Sequence, residues 1–103
     1  MHDSPLEAVI VKRILLFLRA RGWLVEKVHG GRYMAGWPDL FAFHPKYGYR
    51  WIEVKRPGTG RLTDRQRARF TKWNEHGCPI WILTSRDECT LLKGPPNVAS
   101  WLA

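Results

Sequence analysis

Apolar positions along this chain change their period from one segment to the next, and those changes divide it into elements. Leu6, Val9, Ile10, Ile14, Phe17 and Leu18 recur three and four apart, the spacing of one helix face. Ser4-Pro5-Leu6-Glu7 ahead of them reads as a capping box with proline at the first helical position, and Gly22 supplies a stop. Together they predict a helix over residues 5–21. Trp23 to His29 is rich in β-formers and predicts a strand, broken by Gly30 and Gly31. Asp39 to Phe43 and Tyr49 to Lys55 predict two more strands, paired as a hairpin through the turn Pro45-Lys46-Tyr47-Gly48.

Thr63-Asp64-Arg65-Gln66 is a second capping box, opening a helix that runs to His76 and stops at Gly77. Ile80 to Thr84 is short and apolar, as a buried strand is. Thr90 to Lys93 is a candidate fifth strand. After Pro95 and Pro96, Asn97 is a candidate cap for a last short helix ending at Leu102. The order of elements predicts an α/β fold, a central mixed β-sheet flanked by helices. The third strand, the helix from Asp64 and the fourth strand would form a right-handed βαβ crossover. With 103 residues and no repeat or linker, one domain over 1–103 is expected.

Composition narrows the function more than the fold. Apolar residues at 45% and charged residues at 25% exclude a disordered chain. No apolar run approaches the ~20 residues of a membrane span, and Met1 to Pro5 lacks the basic start of a secretory signal. The expectation is an intracellular protein, in the cytoplasm of a bacterium or phage-infected cell, with no membrane partner. Seventeen Lys and Arg against nine Asp and Glu give a net charge of +8, which favours a polyanionic partner such as nucleic acid. Cys78 and Cys89 read as free thiols, and their spacing from His76 and His44 is not that of a zinc finger. His29 and His44 have no chemical company and read as structural.

Strand side chains alternate faces, so Glu53 and Lys55 project from the same side while Val54 points the other way. Alone, that pair is an ordinary ion pair. Asp39 changes its meaning. It follows Gly36-Trp37-Pro38, and the hairpin can set it beside the Glu53 strand. Two adjacent carboxylates repel unless a proton or cation neutralises them, and a pair with few other protein ligands suits Mg²⁺. Arg65, Arg69 and Lys72 share one helix face at i, i+4, i+7, next to the loop that carries Arg56 and Arg61. These five form a candidate phosphate-backbone track. Arg32 and Tyr33, in the glycine-flanked loop before Asp39, are further candidates for nucleic-acid contact.

Gly36-Trp37-Pro38-Asp39-Leu40, then Trp51-Ile52-Glu53-Val54-Lys55, then Gln66 in the following helix resemble the virus-type replication-repair nuclease (VRR-NUC) domain. That family belongs to the PD-(D/E)XK nuclease superfamily, and the resemblance runs from Glu7 to about Thr84. It implies a restriction-endonuclease-like core. It also implies that Asp39 and Glu53 bind the metal with the Val54 carbonyl, that Lys55 is the catalytic lysine, and that Glu7 and Gln66 match the first-helix glutamate and the motif glutamine. Glu7 and Gln66 also occupy the third position of a capping box, which by itself explains their residue types. The implied activity is Mg²⁺- or Mn²⁺-dependent hydrolysis of DNA phosphodiesters, selective for branched or junction DNA, by a homodimer that needs no small-molecule organic cofactor. Two alternatives stand beside it: a general or restriction-type DNase acting on ordinary duplex, and a non-catalytic basic module that retains the nuclease fold.

Overall fold

The computed structural model describes residues 3–28 and 31–103, with the side chains of residues 3–5 outside that set. Helix α1 spans Asp3–Arg19, β1 Leu24–Lys27, β2 Leu40–His44, β3 Gly48–Val54, α2 Asp64–Glu75, β4 Ile80–Leu83 and α3 Val98–Leu102. Short 3₁₀ segments cover Arg32–Met34 and Arg86–Lys93. The expected Ser4 cap and the ring of His29 lie outside the described residues.

The strands stand in the order β1-β2-β3-β4. β1, β2 and β3 form an antiparallel meander, and β4 joins β3 in parallel after the α2 crossover. The mixed sheet is therefore as the element order predicts. Each face carries its own core. On one side Val25, Leu40, Ala42, Ile52 and Val54 pack beneath Ile10, Ile14, Leu15 and Leu18 of α1. On the other, Ile80 and Ile82 pack with Phe70 of α2 and Val98 of α3, bordered by Trp51 and Trp73. The alternation of side chains along each strand delivers each set to its face.

The structure corrects three local expectations. Thr90 to Lys93 is no strand; it lies in the 3₁₀ segment Arg86–Lys93, whose Cys89 and Leu92 are buried in the α1-side core. Apolar Leu92 serves that packing rather than a ladder. Asn97 precedes α3, but its side chain makes no cap bond. Its amide instead accepts from the Ile82 N–H at 2.7 Å and donates to the Ile82 carbonyl at 2.8 Å, occupying the open edge of β4. Leu6 and Val9 belong to the helical period of α1 yet are exposed. Leu6 instead walls a cleft of about 560 Å³ against Pro57 and the segment after β4.

Candidate active site

The end of the sheet where β2 begins and β3 ends gathers the chemistry. Asp39 precedes β2, and its Oδ2 accepts the Val54 N–H at 2.8 Å. That bond ties the start of one strand to the end of its antiparallel neighbour. Glu53 and Lys55 both project toward α2, as strand alternation requires, with Lys55 Nζ 3.2 Å from Glu53 Oε2. Neither is a solvated surface group: Glu53 is 2% exposed and Lys55 5%.

Gln66 links them. Its side-chain amide donates to Glu53 Oε2 at 2.8 Å, and its Oε1 accepts from Lys55 Nζ at 2.8 Å. The same Oε1 accepts the Thr63 N–H at 3.1 Å, while the Gln66 N–H donates to Thr63 Oγ1 at 3.1 Å. The capping box of α2 is thus complete. The two explanations for a glutamine at this position hold together, because one carbonyl oxygen has room for two donors.

Electrostatics set this site apart from an ordinary ion pair. Burial, followed by the neighbouring Asp39 charge, pushes the Glu53 carboxyl from 4.5 up to about 8, against the opposing pull of Lys55 and Gln66. Burial also raises Asp39, opposed by the Val54 N–H and by the charges of Lys55 and Lys27. Glu53 Oε1 is buried with no hydrogen-bond partner among the described residues. Two desolvated carboxylates, one with an unpartnered oxygen, suit a divalent cation, which would neutralise both charges and occupy that oxygen. Among the described residues no third Asp, Glu, His or Cys joins them in a metal-sized cluster. Glu7, half-buried on α1, makes no side-chain hydrogen bond or ion pair among the described residues. The donors left to complete a coordination shell are water, the Val54 carbonyl and substrate oxygens, the pattern Mg²⁺ favours.

Two glycines shape the approach. Gly36 has φ +82°, and a Cβ there would lie 3.0 Å from Arg65 Cγ. The turn into Asp39 therefore packs directly on α2. A Cβ at Gly60 would lie 2.7 Å from the Arg56 carbonyl and 2.8 Å from Lys55 Cβ, so the loop after Lys55 folds back tightly over it.

The candidate DNA contacts separate by environment. Arg65, Arg69 and Lys72 line one cleft on α2, as their spacing predicts. Arg69 sits with its Cζ 5.9 Å from the Trp37 ring, inside an edge-to-face cluster of Trp37, Trp51 and Trp73. Arg61, Arg32 and Tyr33 are exposed, and Arg56 is half-buried beside Lys55. Two other basic residues of this region serve structure. Arg50 donates to the Leu92 carbonyl at 2.8 Å and stacks over Trp81, and Arg67 donates to the Leu102 carbonyl at 2.8 Å. Lys27, whose charge acts on Asp39, has no sequence signal; only the pairing of Lys27 with Leu40 brings it there.

No curated protein matches the chain. A solved structure of a VRR_NUC domain shares the fold, with a TM-score of 0.71 and 24% identity over 84% of this chain and 94% of that one. Residues 12–87, which include Asp39, Glu53, Lys55 and Gln66 but not Glu7, match the sequence model of the VRR-NUC domain, and the chain belongs to that family of nucleases.

Proposed function

We propose that the protein is a metal-dependent DNA endonuclease that hydrolyses phosphodiester bonds at the Asp39–Glu53–Lys55 site, with residues 1–103 acting as one nuclease domain. The nuclease class and the DNA substrate follow from the family. One observation carries the finer reading: the Asp39–Glu53 pair, Asp39 half-buried and Glu53 buried, with the Glu53 carboxyl raised to about 8 and one of its oxygens unpartnered. An isolated ion pair has no reason to keep a second carboxylate beside it at that cost.

Asp39, Glu53 and the Val54 carbonyl would hold Mg²⁺ or Mn²⁺, with Glu7 as a further ligand directly or through water. When bound, the cation supplies an acidified water and a polarised scissile phosphate. The chain does the rest. Lys55, fixed by Gln66 and Glu53, presents its ammonium to the charge that builds on the phosphate or orients the attacking water. Arg65, Arg69 and Lys72, with Arg56 and Arg61, carry the flanking backbone, and Arg32 and Tyr33 touch the strand from the opposite loop.

The working unit is a homodimer, and two symmetric sites suit cutting paired strands of branched or junction DNA. An apolar row across the sheet supports the dimer. Leu24 pairs with Phe43 and Phe43 with Tyr49, on the face opposite α1, and all three are exposed. A cleavage panel of linear duplex, flap and four-way junction with Mg²⁺, Mn²⁺ and chelator tests the whole reading. Metal-dependent cleavage favouring branched DNA is expected. Equal cleavage of linear duplex would make the protein a general DNase. DNA binding with no cleavage and no calorimetric Mn²⁺ signal would make it a non-catalytic module.

A further inference from the structure

At the other end of the sheet, a cleft of about 420 Å³ lies between the C-terminal half of α1, the β2–β3 hairpin and the 3₁₀ segment after β4. Its floor is aromatic. The Trp23 and Tyr47 rings lie 5.9 Å apart and within 5° of parallel, and His44 leans on both at 5.1 Å. Phe17 lines the cleft too, with the Arg21 guanidinium 3.5 Å over its ring.

Its rim is cationic. Arg21, Lys46 and Lys93 line it together with Thr90, and among the described residues no acidic side chain lines it, although Asp87 and Glu88 act on Cys89 from nearby. Both ammonium groups stand close to the Tyr47 ring, Lys46 Nζ at 5.4 Å and Lys93 Nζ at 5.9 Å from its centroid. Neither lysine has an ion-pair partner among the described residues. Packing the hairpin end against α1 accounts for the rings. Arg21 is held by the Phe17 ring and carbonyl, but the packing does not account for two exposed lysines gathered over the Tyr47 ring beside it.

The geometry points to this cleft as a second binding site, for a nucleotide: a base stacked on the Tyr47 side of the floor, with its phosphate held by Lys46, Lys93 and Arg21. Aromatic rings interleaved with cations are the sequence-tolerant means of holding an unstacked base, since every base offers a π-face. The cleft volume lies within the range of small-molecule sites, roughly 300–1,000 Å³. Base-paired duplex keeps its bases stacked and out of reach, so the ligand is an unpaired nucleotide of a DNA strand or a free mononucleotide. β2 separates Asp39 from His44 by five residues, about 17 Å of strand. The cleft is therefore distinct from the metal-site candidate and stands whether or not that site is catalytic. For a nuclease, a strand held there would favour substrates with unpaired DNA.

The test is a titration of the full chain in chelator, followed by the amide resonances of Lys46, Tyr47, Thr90 and Lys93. The probes are thymidine 5′-monophosphate, inorganic phosphate, a short oligothymidylate and a blunt hairpin duplex. Saturable shifts with the mononucleotide and the oligonucleotide are expected, with inorganic phosphate at least about 10-fold weaker. Tighter binding of the oligonucleotide than of the mononucleotide assigns the site to DNA strands; equal binding assigns it to free nucleotides. The double variant Lys46→Glu/Lys93→Glu weakens both by at least about 10-fold at unchanged Tm, while Asp39→Asn leaves them intact. Equal affinity for phosphate and nucleotide, or binding indifferent to the double variant, overturns the site.

Discussion

The Gln66 side-chain amide donates to Glu53 Oε2 at 2.8 Å while its oxygen accepts both the Lys55 ammonium and the Thr63 N–H. A helix cap and a contact to the Glu53–Lys55 pair are thereby made by one residue, and substitutions can separate them. Thr63→Ala removes only the cap and should cost roughly 1 kcal/mol of stability with cleavage little changed. Gln66→Glu keeps a cap acceptor but turns an anion toward Glu53, and cleavage should fall at least about 10-fold. Parallel melting curves and single-turnover rates check both. Equal drops in rate for the two variants would reduce Gln66 to its cap.

Asp39→Asn keeps an oxygen able to accept the Val54 N–H and removes only the charge. Glu53→Gln does the same for the buried partner. Each should lower Mg²⁺-dependent cleavage by at least about 100-fold with circular dichroism unchanged. Calorimetry should show Mn²⁺ binding abolished alongside activity. Full activity of either variant would remove that carboxylate from the site.

The Glu53 carboxyl, at about 8 in the folded protein against 4.5 for an ordinary glutamate, binds a proton between those values that the unfolded chain has released. Its contribution to stability is fully present below about 4.5 and is lost as pH rises through about 8. In chelator, Tm should therefore fall from pH 5 to pH 9, and Glu53→Gln should flatten the profile. A divalent cation should raise Tm most at the alkaline end, where no proton competes for the carboxylate. Identical profiles for wild type and Glu53→Gln would show that the buried carboxyl does not titrate in this window.

Arg65, Arg69 and Lys72 have one fate and Arg50 and Arg67 another. Replacing the first three with Gln should reduce the slope of log K against log salt by about 0.9 for each phosphate they neutralise, measured by anisotropy on Asp39→Asn protein. Arg50→Gln and Arg67→Gln should leave the slope alone and lower Tm, since each removes bonds that tie distant segments together. The opposite outcome would exchange their roles.

Phe43→Glu places a charge at the centre of the exposed Leu24–Phe43–Tyr49 row. Light scattering at micromolar concentration should give the mass of two 12.0 kDa chains for wild type and of one for the variant. A monomeric wild type would remove the dimer from the proposed function.

The sequence determined whatever is local. Helix periods, capping boxes and strand alternation act over three or four residues, so α1, α2, the hairpin and the shared face of Glu53 and Lys55 were legible before any fold was known. The Asp39 motif was legible for the same reason, being one continuous segment. Tertiary structure decided what depends on partners far along the chain and on exclusion from water. It made Gln66 both cap and contact, and it drove Glu53 to 2% exposure, where its charge is costly. It brought Lys27 to Asp39, and left Glu7 without a bond to the carboxylate pair among the described residues. It also turned Leu91 and Leu92 from a candidate strand into part of a 3₁₀ segment packed on α1. Of a run of basic residues alike in sequence, packing assigned some to structure and left others facing solvent, because only the fold sets which carbonyls lie within reach of a guanidinium.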